Sequence, residues 1–162
     1  MTPKRETRAT GEGDARDRKQ AQSGQAARWK YSTPGGSEQS WTGTEADLQR
    51  AARQLLTVAL PRHEALFFHV PNGGYRALAT AGRLKAEGVV PGVADFIVIW
   101  KGRALAIELK ACKGRLSKAQ QHWGDAFTLA GGCYAVCRSL GEVGAFLDAA
   151  GVPLRVKRED LK

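Results

Sequence analysis

Asp95 is followed thirteen positions later by Glu108-Leu109-Lys110, and both stand within apolar runs, Ala94-Asp95-Phe96-Ile97-Val98-Ile99-Trp100 and Ala104-Leu105-Ala106-Ile107-Glu108-Leu109-Lys110. Ionisable side chains in strands that read as buried are costly unless each finds a partner. A divalent metal would satisfy the carboxylates, and a scissile phosphate would partner the lysine. Side chains alternate along a strand, so Ala104, Ala106, Glu108 and Lys110 share one face while Leu105, Ile107 and Leu109 line the other. Small Ala104 and Ala106 leave room beside the charged pair. The carboxylates suit a hard cation that takes oxygen ligands and keeps water, Mg²⁺ or Mn²⁺. Lys110 is then suited to orient or deprotonate the attacking water and to offset charge on the phosphate. These residue types point to phosphodiester hydrolysis.

Two strands joined by a tight turn must carry this set. Lys101-Gly102-Arg103 is short enough to join them as a hairpin, which brings Asp95 near Glu108. Upstream, Thr44 is a good N-cap followed by acids in the first turn, Leu48, Ala51, Ala52, Leu55 and Leu56 recur at helical spacing, and Pro61 stops the helix. Residues 66–70 read as a strand, Pro71-Asn72-Gly73-Gly74 as a loop, and residues 76–87 as a helix with Gly88 as its C-cap. Val89-Val90-Pro91-Gly92 is a turn. Ser117 caps a helix over residues 118–130, which Gly131-Gly132 ends. Cys133–Cys137 reads as a fourth strand, and Ser139-Leu140-Gly141-Glu142 as a capping box opening a last helix that ends near Gly151. The order is α-β-α-β-β-α-β-α, without internal repeats.

The chain of 162 residues is enough for one domain with a real core, and 43% of it is apolar. A net charge of +9 favours a polyanionic partner. Residues 1–40 carry eight Lys/Arg against five acids and contain no Ile, Leu, Val or Phe. They cannot offset their own ordering entropy and are expected to form a disordered basic tail and linker, solvated or adding non-specific phosphate contacts. The folded domain is expected over residues 41–152, and a polar tail over 153–162. Cys112, Cys133 and Cys137 lack framework or zinc spacing and read as free thiols, which fits a reducing cytoplasm. No signal-like or transmembrane stretch is present, so no membrane partner is expected. His63, His69 and His122 lack ligand spacing; His69 is the best functional candidate of the three.

Taken together, these motifs resemble the PD-(D/E)XK nuclease superfamily, and more narrowly its VRR-NUC branch. Val90-Pro91-Gly92-Val93-Ala94-Asp95 is similar to that branch's Pro-Gly-x-Pro-Asp turn, with Ala94 departing from the pattern's proline. Ile107-Glu108-Leu109-Lys110 is similar to its E-x-K strand, and Leu116-Ser117-Lys118-Ala119-Gln120, with Trp123, to its Leu-Ser-x-x-Gln helix start. His69-Val70-Pro71-Asn72-Gly73-Gly74 with Arg76 resembles the upstream Asn-rich loop, and Glu45 stands where the family places an acid on the first helix. The likeness covers roughly residues 44–150.

The resemblance implies an α/β restriction-endonuclease-like core, a mixed central sheet flanked by helices. It implies Asp95, Glu108 and the Leu109 carbonyl as metal ligands, with Glu45 reaching the metal through water or binding a second ion. It further implies Lys110 as the catalytic lysine and Gln120 as a neighbour positioning substrate or Lys110. Asn72 and Arg76 are expected near substrate, and Lys113, Arg115 and Lys118 form a candidate phosphate-contact patch. Each has a plainer reading: an acid in a first helical turn is favourable without function, and a basic loop is usually just solvated. The expected activity is that of a Mg²⁺- or Mn²⁺-dependent DNA endonuclease leaving a 5′-phosphate. Branched or structured DNA, a Holliday junction or flap in recombination, repair or phage replication, is the expected substrate. A homodimer fits symmetric resolution of a junction, which needs two cuts. The alternatives are a non-catalytic nucleic-acid-binding protein of the same fold, or a nuclease acting on nicked or linear DNA or on RNA.

Overall fold

A computed structural model describes residues 41–71, 83–84, 86–111 and 113–157. The expected disordered tail, Asn72, Arg76, Cys112 and most of the expected 76–87 helix lie outside these residues. Residues 83, 84 and 86 of that helix are described and are helical. The elements run α1 (Glu45–Ala59), β1 (Ala65–His69), β2 (Phe96–Trp100), β3 (Arg103–Leu109), α2 (Lys118–Leu129), β4 (Cys133–Cys137) and α3 (Leu140–Ala149).

Each start has a local cause. Thr44 and Asp47 form a reciprocal cap on α1: the Asp47 N–H donates to Thr44 Oγ1 at 3.2 Å, and the Thr44 N–H donates to Asp47 Oδ2 at 3.0 Å. Between β2 and β3, Trp100 pairs with Arg103, leaving a two-residue loop whose members, Lys101 and Gly102, have φ of 47° and 75°. Two positive φ values make a type I′ turn, whose twist matches the flanking strands. The expected capping box on α3 is only half made. Ser139 Oγ accepts from the Glu142 N–H at 3.1 Å, but the Glu142 carboxylate accepts from the Arg138 N–H at 2.6 Å instead of reaching back to Ser139.

The sheet order is β1-β2-β3-β4, antiparallel across the first two pairings and parallel between β3 and β4. A parallel return needs a crossover, which α2 supplies. The result is the expected mixed sheet flanked by helices. Alternation along β3 splits the core in two. Leu105, Ile107 and Leu109 face Leu48, Leu55 and Leu56 of α1 and Phe146 and Leu147 of α3. Ala106 faces the other way and, with Ile97 and Tyr134, packs beneath Trp123 and Phe127 of α2. The space over small Ala106 is therefore filled by aromatic rings and does not open beside the charged pair. Residues 153–157, expected to begin a polar tail, run back along α1. The Arg155 N–H donates to Ala59 O at 2.8 Å, while Leu154 and Val156 rest on the core.

Candidate active site

The hairpin register does most of the positioning. Phe96 faces Ile107, so one step further Asp95 comes opposite Glu108 at the end of the ladder. Asp95 is pinned there by both oxygens: Oδ2 accepts from the Leu109 backbone N–H at 2.8 Å, and Oδ1 accepts from Gln49 Nε2 at 3.0 Å. The turn before it is shaped by Gly92, whose φ is +79°. A Cβ there would lie 2.4 Å from the Ala119 carbonyl and 2.6 Å from Gln120 N, so the turn packs directly on the start of α2. Substituting Gly92→Ala forces a left-handed residue and a backbone clash at once. We expect it to lower unfolding free energy by about 2 kcal/mol or more in urea denaturation; a midpoint equal to that of the unaltered protein would refute this close approach.

At the end of β3 the ladder continues one step, with the Lys110 N–H donating to Cys137 O at 3.0 Å. Glu108 is 0% exposed and Lys110 only 6%. Lys110 Nζ sits among three oxygens: Glu108 Oε1 at 2.6 Å, the Leu109 carbonyl at 3.1 Å and Glu45 Oε1 at 3.3 Å. Glu45 arrives from the first turn of α1 and stays about half exposed. Gln120 arrives from α2, and its cap orients it. Its Oε1 accepts from the Ser117 N–H at 2.9 Å, which turns Nε2 toward Glu108 Oε1, to which it donates. One glutamine thus closes a capping box and holds an acidic side chain.

Burial sets the electrostatics. It pushes the Glu108 carboxyl up to about 7, with the nearby Asp95 charge adding to the rise and the Lys110 hydrogen bond opposing it. Burial also raises Asp95, against the Leu109 N–H and the Lys110 charge, which favour its ionised form. For Lys110 burial acts downward, but the hydrogen bonds and charges of Glu108 and Glu45 outweigh it and hold the ammonium above its ordinary range. Glu108 and Glu45 contact the Lys110 ammonium and Asp95 feels its charge, so three carboxyl groups share one cation, an excess of acidic groups.

That excess is matched by an unfilled acceptor. Glu108 Oε2 is buried without a hydrogen-bond partner among the described residues, the kind of orphan that an oxygen-seeking cation resolves. Among the described residues no three His, Cys, Asp or Glu side chains gather tightly enough to hold an ion alone. The donors that would hold a divalent cation here are Asp95, Glu108 and the Leu109 carbonyl, with water completing the set.

The structure thus brings Glu45, Asp95, Glu108, Leu109, Lys110 and Gln120 together. Lys113, Arg115 and Lys118 are exposed on the loop and first helical turn that follow. Asn72 and Arg76 lie outside the described residues. Sequence reasoning missed two contributors. Gln49 is one, although its spacing four residues after Glu45 on a helix was a signal that the two share a face. Arg138 is the other: its Nη1 donates to Ala111 O and Gly114 O, each at 2.9 Å, tying down the basic loop from across the β3–β4 edge. No local pattern marks it. His69 lies at the end of β1 with its ring 5.2 Å from that of Phe96. Cys137 is a buried free thiol and Cys133 a partly exposed one.

Comparison with known proteins identifies the fold and the family. A solved structure titled "VRR_NUC domain protein" superposes with a TM-score of 0.50 at 19% sequence identity, covering 68% of this chain and 88% of that one, a likeness in fold. No curated protein matches the sequence significantly. The family profile described as the VRR-NUC domain matches residues 39–140, which span both carboxylate-bearing strands and the start of α2. The chain belongs to the VRR-NUC domain family, nuclease-type domains of the PD-(D/E)XK superfamily that generally use divalent metal ions.

Proposed function

We propose that this protein is a Mg²⁺-dependent endonuclease that hydrolyses phosphodiester bonds in branched or structured DNA. The observation that carries the reading is the cluster in which buried Glu108 and half-exposed Glu45 contact Lys110, with Asp95 held beside them, while Glu108 Oε2 stays unfilled. A folded interior rarely keeps such an excess of carboxylates without a cation to receive.

Asp95, Glu108 and the Leu109 carbonyl would hold the cation, with Glu45 reaching it through water. When bound, the cation supplies Lewis acidity toward a phosphoryl oxygen and toward water. With its carboxylate partners holding a cation, Lys110 would be free to turn its ammonium toward the scissile phosphate. The raised affinity of Lys110 for its proton favours a role as cationic donor to the charge that builds on phosphorus. Gln120 keeps Glu108 from swinging out of the site, and Gln49 does the same for Asp95. Exposed Lys113, Arg115 and Lys118 lie downstream of Lys110 and suit the flanking phosphates.

The charge of +9 supports a polyanion of any shape. The family resemblance is what supports branched DNA and a 5′-phosphate product, and the two cuts that symmetric junction resolution needs are what support a homodimeric pairing of sites. Among the described residues no helix is long and apolar enough to cross a membrane. The deciding experiment is a panel of junction, flap, nicked and linear DNA and single-stranded RNA, with the Lys110→Met protein as control. Preferential cleavage of the junction or flap is expected in Mg²⁺. Equal cleavage of linear duplex would overturn the branched-DNA reading, and binding without cleavage would make this a nucleic-acid-binding protein of the same fold.

A further inference from the structure

Glu45 and Gln49 stand four residues apart on α1 and so project from one face of the helix toward the site. Glu45 ends at Lys110, and Gln49 ends at Asp95. The two oxygens of Asp95 are treated differently. Oδ2 is held by a backbone N–H that belongs to β3 and moves with the sheet, whereas Oδ1 is held by the Gln49 amide of α1. One hydrogen bond from the strand leaves a carboxylate free to pivot about that bond. The second, from a different element, stops the rotation.

We infer that Gln49 is a positioning residue that sets the orientation of the Asp95 carboxylate and thereby the site's affinity for its divalent cation. The inference rests on the metal-dependent reading given above. Side-chain chemistry suits the task. A glutamine amide donates without carrying charge, so it orients Asp95 and leaves intact the negative potential a cation requires. A lysine there would compete with the cation, and an asparagine is one methylene too short for the 3.0 Å contact. The helix also makes the arrangement rigid. Leu48 and Ala52, which flank Gln49 along α1, are fully buried against the sheet, so Gln49 is carried by a packed element and not by a loop. Partners that orient metal-ligating carboxylates in this way are typically worth about 10–100-fold in metal affinity.

The test uses the full chain without DNA, with Mn²⁺ as the probe and the free ion followed by electron paramagnetic resonance. Gln49→Leu and Gln49→Met remove the amide while keeping bulk, and Asp95→Ala reports on the site itself. Both Gln49 variants should bind Mn²⁺ about 10–100-fold more weakly, with the thermal unfolding of the metal-free proteins unchanged. The Mn²⁺ concentration giving half-maximal cleavage should rise by the same factor, and the rate at saturating Mn²⁺ should recover toward that of the unaltered protein. A purely structural role predicts the opposite split, a lower rate that excess metal does not restore, and that result overturns the inference. Unchanged Mn²⁺ affinity in both variants also overturns it while leaving the metal site standing, provided Asp95→Ala abolishes binding. Binding that survives Asp95→Ala, or is absent from the unaltered protein, overturns the metal-dependent reading and this inference together.

Discussion

Lys110→Met should lower the rate of DNA cleavage by on the order of 10²–10³-fold while leaving the protein folded, and Asp95→Ala should lower it at least as far. The expectation for Lys110 comes from its surroundings. Its ammonium is the one positive charge enclosed by Glu45, Glu108 and the Leu109 carbonyl, and it is buried enough that bulk water does little to screen it. A donor preorganised in that way stabilises charge on phosphorus more than a solvated lysine would. Methionine keeps the aliphatic stem and so fills the same space. Removing the ammonium leaves Glu108 with Gln120 as its remaining donor, and because its carboxyl already titrates near neutrality, it takes up a proton instead of remaining a bare buried charge. Folding should therefore survive, as circular dichroism and a cooperative melt can verify. Single-turnover assays at saturating Mg²⁺ measure the loss. Equal rates for the unaltered, Lys110→Met and Asp95→Ala proteins would remove this cluster from the chemistry altogether.

The second large effect is a dependence on pH that metal should reverse. Burial lifts Glu108 from its ordinary 4.5 to about 7, and Asp95 moves in the same direction. A cation binds the ionised carboxylate, so below about pH 7 it must first displace a proton. The concentration of Mg²⁺ needed for half-maximal cleavage should accordingly rise about tenfold per unit of pH below 7, and level off above it. The metal-free protein should show the converse. Because the folded state holds the Glu108 proton more tightly than the unfolded chain, that proton's contribution to stability is complete below about 4.5 and is lost as pH rises through about 7. Its full size is at most about 3 kcal/mol. Lys110, shifted upward from 10.5, adds no slope within this window. Melting curves with and without Mg²⁺, taken at about pH 6 and about pH 8, separate the two limbs: metal should stabilise more at the higher pH. Glu108→Gln should flatten both. A metal requirement independent of pH across this range would show that Glu108 is ionised in the free protein and that burial costs it little.

Much of this architecture is local and therefore readable in advance. Thr44 and Ser117 are N-caps in the structure as expected, because a capping hydroxyl acts on backbone two or three residues away and needs nothing from the rest of the chain. The Cys133–Cys137 strand and the Lys101-Gly102 turn are equally local. Ala106 shows where such reasoning stops. Its small side chain suggested open room beside Glu108, yet what lies over it is Tyr134 with Trp123 and Phe127, on the helix and strand that follow in the chain. Glu142 likewise departs from its local pattern, because the Arg138 backbone N–H competes for its carboxylate. Arg138 itself has no motif, since its partners Ala111 and Gly114 are backbone carbonyls that any sequence supplies.

The same division runs through the site. Asp95, Glu108 and Lys110 are singled out as candidates by the sequence alone, because ionisable groups in apolar strands are costly without partners. Period-two alternation fixes which of them share a face, and the short hairpin fixes that the carboxylates meet. Only the tertiary structure decides the rest. It joins Gln49 and Glu45 to partners 46 and 65 residues away, turns Gln120 through its cap onto Glu108, and seats the Gly92 turn on α2. It also decides how deeply Glu108 is buried, and so how tightly that carboxyl holds its proton. The physical reason is range. Strand pleat, caps and turns are set by neighbours in the chain, whereas desolvation and the second donor to each carboxylate come from whatever the packed core brings alongside.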